Sequence, residues 1–147
     1  MNDGLFDLTG QVAIVTGTSR GLGQYFARAL AKAGADLVLT SRTRESLMTF
    51  EADIKALGRR AVSLELDVRN QESIEKMAAD AEAAFGQIHI LVNNAGCNIR
   101  KPALEVKWED WNTILDTNLR GSFFVAQAVA KRMIAKEVRA GVAYPDF

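Results

Sequence analysis

Thr16-Gly17-Thr18-Ser19-Arg20-Gly21-Leu22-Gly23 sets glycines at G-x-x-x-G-x-G spacing between the apolar run Val12 to Val15 and a helical pattern. Glycines in such a turn admit positive φ, bring backbone N–H groups close to a pyrophosphate and let strand and helix pack closely. The start of the helix adds partial positive charge. The chemistry this implies is the cradling of a dinucleotide's phosphates by Gly17, Ser19, Arg20, Gly21, Leu22 and Gly23. The spacing is not the commoner G-x-G-x-x-G, and glycine-rich turns also join strands to helices with no ligand, so the strand before and the helix after carry the reading.

A second group would read the sugar beside those phosphates. The end of the second strand in such folds carries a carboxylate for the 2′-hydroxyl of NAD, or is accompanied by an arginine for the 2′-phosphate of NADP. Here that strand ends Thr40-Ser41-Arg42, while Asp36 lies at its beginning and Glu45 already belongs to the next helix. Arg42, beside Ser41, forms with Arg20 a candidate charge-assisted clamp on a phosphate dianion, which favours NADP over NAD. Arg44 is an alternative to Arg42, and the competing reading makes both arginines ordinary solvated side chains.

Positioning these groups requires alternating strands and helices, and the hydropathy supplies them. Val12-Ala13-Ile14-Val15, bounded by Gly10 and Gly17, suits a strand buried on both faces. Leu22, Phe26, Ala29, Leu30 and Ala33 share a helical face opposite Arg28 and Lys32, with Gly34 at the cap position. A second strand over 35–40 precedes a helix marked by Leu47, Phe50, Ile54 and Leu57 and closed by Gly58. A third over 61–66 precedes one marked by Ile74, Met77, Ala78, Ala81 and Phe85 and closed by Gly86. A fourth over 88–92 leads through a loop to a long helix from about Trp108 to Lys136, with Trp111, Ile114, Leu115, Phe124, Ala128 and Met133 at helical period. Such alternation predicts an α/β fold, a three-layer doubly wound parallel sheet, as a single domain over 1–147.

Composition narrows the partners. The 147 residues are 48% apolar and 24% charged, with 18 basic side chains balancing 18 acidic ones, which removes the basic footprint of a nucleic-acid binder. One cysteine, Cys97, and one histidine, His89, exclude an internal disulfide and a Cys/His zinc site, so no metal is expected. The segment Met1 to Gly10 lacks the basic and apolar regions of a signal peptide, and no apolar run reaches about 18 residues, so neither export nor a membrane span is expected. A cytoplasmic location is the expectation. His89 reads as a packed or hydrogen-bonded strand residue, Cys97 as a small reduced filler, Arg100 and Lys101 as solvated loop, and Trp108 and Trp111 as packing residues.

Four separated motifs together resemble the short-chain dehydrogenases/reductases, a family with a single-domain Rossmann fold. The loop Thr16 to Gly23 is similar to its T-G-x-x-x-G-x-G signature, Asp67-Val68 to its adenine-contacting pair, and Asn93-Asn94-Ala95-Gly96 to its N-N-A-G motif. Asn118, within Asp116-Thr117-Asn118-Leu119-Arg120-Gly121, resembles its catalytic-site asparagine. The resemblance spans roughly Leu8 to Ile134. It implies hydride transfer between NADP and a small carbonyl or alcohol, with Asp67 and Val68 at the adenine and Asn94, Ala95 and Gly96 beneath the cofactor. Physical reasons accompany each: a carboxylate accepts from an amino group, the Asn94 amide both donates and accepts, and Ala95 and Gly96 leave room for a ribose. The resemblance gives the backbone carbonyl of Asn118 a water of the proton relay, and makes the long helix a contact between subunits, hence a homo-oligomer. The opening Leu5-Phe6-Asp7-Leu8 and the loop Cys97 to Pro102 are similar to those of the family's sugar-acid reductases, gluconate 5-dehydrogenases among them.

One departure bears on chemistry. The family's tyrosine acid/base, whose pKa a lysine lowers, stands in Y-x-x-x-K after an upstream serine. Tyr25 sits in the first helix and Tyr144 is followed only by Pro145, Asp146 and Phe147, so neither fits. The fold is therefore expected to be incomplete on its C-terminal side, with an atypical tail over 137–147. That tail is open between a short strand, a disordered end and non-native sequence, and these residues alone are expected to have little or no dehydrogenase activity. Without those elements, one sheet edge and part of the long helix are expected to be uncovered.

Overall fold

Alternate side chains of each buried strand point to opposite faces of a sheet, so the apolar runs near the N-terminus can serve two helix layers at once. In the computed structural model, which describes residues 4–139, β1 (Val12–Val15), β2 (Asp36–Ser41), β3 (Ala61–Glu65) and β4 (Ile90–Val92) form one parallel sheet in the order β3-β2-β1-β4. Val12 pairs with Asp36 and Val15 with Leu39, while Ala13 pairs with Ile90 and Val15 with Val92. Connecting them are α1 (Leu22–Lys32), a 3₁₀ turn (Arg44–Leu47) leading into α2 (Met48–Ala56), and α3 (Gln71–Phe85). After β4 come a 3₁₀ turn (Ala103–Glu105), α4 (Trp108–Leu115), a π turn (Asp116–Gly121) and α5 (Ser122–Arg139).

The two layers divide the core cleanly. Ala13, Val15, Leu37 and Leu39 pack with Ala27, Ala31, Leu47, Phe50 and Ile54 of α1 and α2 and their lead-in turn. Val12, Ile14 and Val38 pack with Ile74, Met77, Ala78 and Ala81 of α3 and with Val125, Ala128 and Val129 of α5. This is the expected α/β Rossmann architecture. His89, just before β4, accepts the Val12 N–H on Nδ1 at 3.0 Å, the hydrogen-bonded role its sequence context suggests.

Two helical faces differ from the periodic reading. On α1 the buried stripe is Gly23, Ala27 and Ala31, whereas Leu22 and Phe26 are 66% and 41% exposed. Both stripes satisfy the helical repeat, and the smaller one wins because close approach of α1 to the sheet leaves no volume for large side chains. The long helix behaves likewise: Gly121, Val125, Ala128 and Val129 are buried, while Trp111, Leu115 and Phe124 are exposed. Trp108 and Trp111 are 77% and 58% exposed, so among the described residues they are not packing residues. Among the described residues the outer face of α4 has no neighbouring layer, and β4 has β1 alone beside it. The expected tail over 137–147 begins within α5, which runs through Arg139, and from 140 onward lies outside the described residues. No helix of the described residues is long and apolar enough to cross a membrane.

Candidate functional site

Strand order reverses at β1: the chain moves outward through β2 and β3, then returns to place β4 on the other side of β1. At the carboxyl ends of β1 and β4 the connections therefore diverge to opposite faces, leaving the crevice in which open parallel sheets bind ligands. Buried hydroxyls fasten its walls. Thr16 Oγ1 accepts the N–H groups of Asn94 and Ala95, each at 2.9 Å. Thr18 reaches Thr40 O through both its backbone N–H, at 2.9 Å, and its hydroxyl, at 3.3 Å, and Thr40 Oγ1 donates to Val15 O at 3.4 Å. The sequence reading does not assign these roles to Thr16, Thr18 and Thr40, though their signal is visible: each is a hydroxyl residue at or just beyond the carboxyl end of an apolar strand.

The glycine loop leaves β1 at Gly17, with φ 72°, and enters α1 through Gly21, with φ 62°. A Cβ on Gly17 would lie 2.9 Å from Ala95 Cα, and one on Gly23 would lie 2.3 Å from Gly17 O and 2.7 Å from Asn94 Nδ2. Only glycine fits where these segments cross. The Asn94 amide donates to Thr16 O at 2.9 Å and Gly17 O at 3.2 Å, tying the end of β4 to the end of β1. Among the described residues no side chain caps α1, and no carboxylate stands in its first turn. Its positive end thus faces the exposed loop of Ser19, Arg20, Gly21 and Leu22, an arrangement suited to phosphate.

Beyond β2, Arg42 is exposed, as is Arg20. The Ser41 hydroxyl is engaged internally, donating to Thr43 O at 2.6 Å and lying 2.6 Å from Ser46 Oγ, which shapes the turn that carries Arg42. Asp67, just after β3, is gripped by Arg69, and Val68 packs against Gly121 so closely that a Cβ there would stand 2.8 Å from Val68 O. The Arg69 hydrogen bond holds the Asp67 carboxyl below its ordinary value, against the opposing effect of burial, and the charges of Arg69 and Arg42 lower it further. An open cleft of about 220 Å³ adjoins this end, lined by Val68, Arg69, Gln71, Ile74, Arg120 and Phe124. The part played by Arg69 likewise lies outside the sequence reading, although opposite charges two residues apart at a strand end are a readable signal.

On the β4 side, Asn118 lies in the π turn and closes on the loop after Gly96. Its Oδ1 accepts Cys97 N–H at 2.8 Å and its Nδ2 donates to Cys97 O at 2.9 Å. Its backbone carbonyl accepts Ser122 Oγ at 3.0 Å. A π turn widens the helix and re-aims its carbonyls, and such turns recur at functional sites. Gly96 admits this closure, since a Cβ there would already stand 3.2 Å from Asn118 Oδ1. The structure therefore brings Gly17, Gly21, Gly23, Asn94, Ala95, Gly96 and Asn118 around one crevice, with Arg42 and Asp67 at the ends of the neighbouring strands.

Comparison with known proteins agrees with this fold. The family model described as short chain dehydrogenase matches residues 11–142. Gluconate 5-dehydrogenase of Gluconobacter oxydans is 42% identical over 132 residues, covering 90% of this chain and 52% of that protein. The Escherichia coli 2-dehydro-3-deoxy-D-gluconate 5-dehydrogenase is 45% identical over 131 residues, covering 89% of this chain and 51% of its own. A metagenomic short-chain oxidoreductase solved in complex with NADP superposes with a TM-score of 0.80 at 40% identity, over 87% of this chain and 58% of that one. The chain spans about half the length of the curated relatives it matches.

Proposed function

Since this chain belongs to the short-chain dehydrogenase family, we propose that it is the NADP-binding portion of an oxidoreductase that moves a hydride to or from a carbonyl or alcohol carbon. Sugar acids are the proposed substrate class, supported by the gluconate-type relatives. The observation that carries the reading is the glycine loop at the switch point, closed against Asn94 and Ala95 so tightly that a Cβ fits at neither Gly17 nor Gly23. A nicotinamide dinucleotide held in this crevice would supply the hydride chemistry. The chain's own part is to hold the pyrophosphate with Gly17, Ser19, Arg20, Gly21, Leu22 and Gly23, and the adenosine with Arg42, Asp67 and Val68, while Ser41 fixes the turn that carries Arg42. Asn94, Ala95 and Gly96 would form the floor, and Asn118 would hold the loop that follows Gly96 through its paired bonds to Cys97. Because no Tyr-x-x-x-Lys stands within these residues, a second reading has them bind the nucleotide without turning it over. The exposed face of α4 and α5, with Trp108, Trp111, Leu115 and Phe123, is the surface proposed for a second copy, which sedimentation of the chain tests.

Cofactor choice provides the test. Arg42 would meet the 2′-phosphate as a charge-assisted pair, so the chain is expected to bind NADPH more tightly than NADH. Arg42→Ala is then expected to weaken NADPH binding by roughly 10- to 100-fold while changing NADH little. Titration of both cofactors by nicotinamide fluorescence reads this directly. Tighter binding of NADH would contradict the NADP reading, and an Arg42→Ala chain that keeps the parent's preference would contradict the role given to Arg42. Carbonyl reduction by these residues alone, at rates typical of enzymes, would contradict the second reading.

A further inference from the structure

Asp67 is held at the carboxyl edge of the sheet by the residue two positions on. Arg69 donates its backbone N–H to Asp67 Oδ1 at 2.9 Å, its Nε to Oδ1 at 3.3 Å and its Nη2 to Oδ2 at 3.2 Å. A carboxylate offers roughly four lone-pair directions, and these bonds take both on Oδ1 and one on Oδ2. Among the described residues one acceptor direction is left, on Oδ2. The fork also fixes the plane of a side chain that is 36% exposed and would otherwise rotate. Arg69 is itself 45% exposed, so its side chain is not filling the core. Its charge offsets a carboxylate that would otherwise repel the phosphates of a dinucleotide.

Resting on the dinucleotide reading above, we infer that Arg69 is a positioning residue for base recognition: it locks Asp67 so that one Oδ2 lone pair meets a purine amino group. The site then selects a 6-amino purine over a 6-oxo purine, whose carbonyl would face the same lone pair as a second acceptor. The selectivity belongs to the oriented carboxylate, and the charge of Arg69 alone does not produce it. Lysine at this position would restore the charge without the planar fork.

The test compares NADPH with its hypoxanthine counterpart, nicotinamide hypoxanthine dinucleotide phosphate in reduced form, on the parent chain, Arg69→Ala and Arg69→Lys. Circular dichroism melts accompany the titrations to establish that each chain is folded. The parent is expected to prefer NADPH by about tenfold, the scale of a hydrogen bond to a charged group. Arg69→Ala is expected to weaken NADPH binding and bring the ratio to about twofold or less, and Arg69→Lys to recover overall affinity but not the ratio. Removing Arg69 also releases the Asp67 carboxyl upward toward its ordinary value near 3.8. On acidification, the variant's NADPH affinity is therefore expected to fall at higher pH than the parent's. Variants that are folded and keep the parent's ratio would overturn the inference, as would a parent that binds both cofactors equally, and either result leaves the dinucleotide reading standing. A parent that binds neither cofactor would overturn that reading and this inference with it.

Discussion

Gly23→Ala is expected to remove dinucleotide binding and to lower the unfolding free energy by about 2–4 kcal/mol, at and beyond the upper end of ordinary overpacking penalties. The cost arises because the added methyl meets backbone. It would stand 2.3 Å from Gly17 O and 2.9 Å from Gly17 C, with Asn94 Nδ2 at 2.7 Å, and the first two cannot rotate away. Relief requires α1 to lift from the end of β1, which breaks the Asn94 bonds to Thr16 and Gly17 and displaces the N–H groups facing the crevice. Gly58→Ala is the matched control: its φ is 78° but nothing lies within 4 Å of the new methyl. It should cost about 1–2 kcal/mol for the left-handed backbone alone and leave cofactor titration unchanged. Urea unfolding and cofactor titration of the two variants separate collision from conformational strain. A Gly23→Ala chain as stable as its parent, with binding intact, would show that the loop and α1 are not packed as described.

Thr16→Val is expected to cost about 2–4 kcal/mol, whereas Thr16→Ser should retain most of the parent's stability. Valine keeps the shape of threonine and removes its oxygen. The N–H groups of Asn94 and Ala95 both point at that oxygen, so the substitution leaves two partly buried donors without their acceptor, each worth about 1–2 kcal/mol. Thr16 is 1% exposed, so no water takes the place of the hydroxyl. The loss is local to the segment 94–96, and cofactor affinity is expected to fall along with stability. Chemical denaturation of both variants checks it: a Thr16→Val chain indistinguishable from the Thr16→Ser chain would contradict the hub role.

The contrast between these two positions explains what the sequence disclosed. Gly23 was legible as part of a loop because its spacing, the strand before it and the helix after it are all linear features. Thr16 stands in the same motif, but its function depends on partners 78 and 79 residues away that only the parallel pairing of β1 and β4 brings near. The sheet itself was readable for the same linear reason: short apolar runs bounded by glycine give strands buried on both faces, and Val12 to Val15 are all buried. Helix faces were less so. Periodicity offers two stripes on α1, and side-chain volume decides between them: Ala27 and Ala31 fit against the sheet, and Leu22 and Phe26 do not. The long helix repeats the lesson with Gly121 and Val125 against Trp111 and Phe124. Its π turn leaves no mark in the apolar pattern, because it shows only as a change in which carbonyl each N–H reaches. Asn118 thus entered through its motif, while its paired bonds to Cys97 emerged from the structure.

The most direct measurement is amide chemical-shift mapping of the ¹⁵N-labelled chain titrated with NADPH. Saturable shifts are expected at Gly17 to Gly23, at Ser41 and Arg42, at Asp67 to Arg69 and at Asn94 to Gly96, with α2 and the outer face of α5 unmoved. Shifts confined to other surfaces, or none at millimolar cofactor in a folded chain, would contradict the assignment of this crevice as the dinucleotide site.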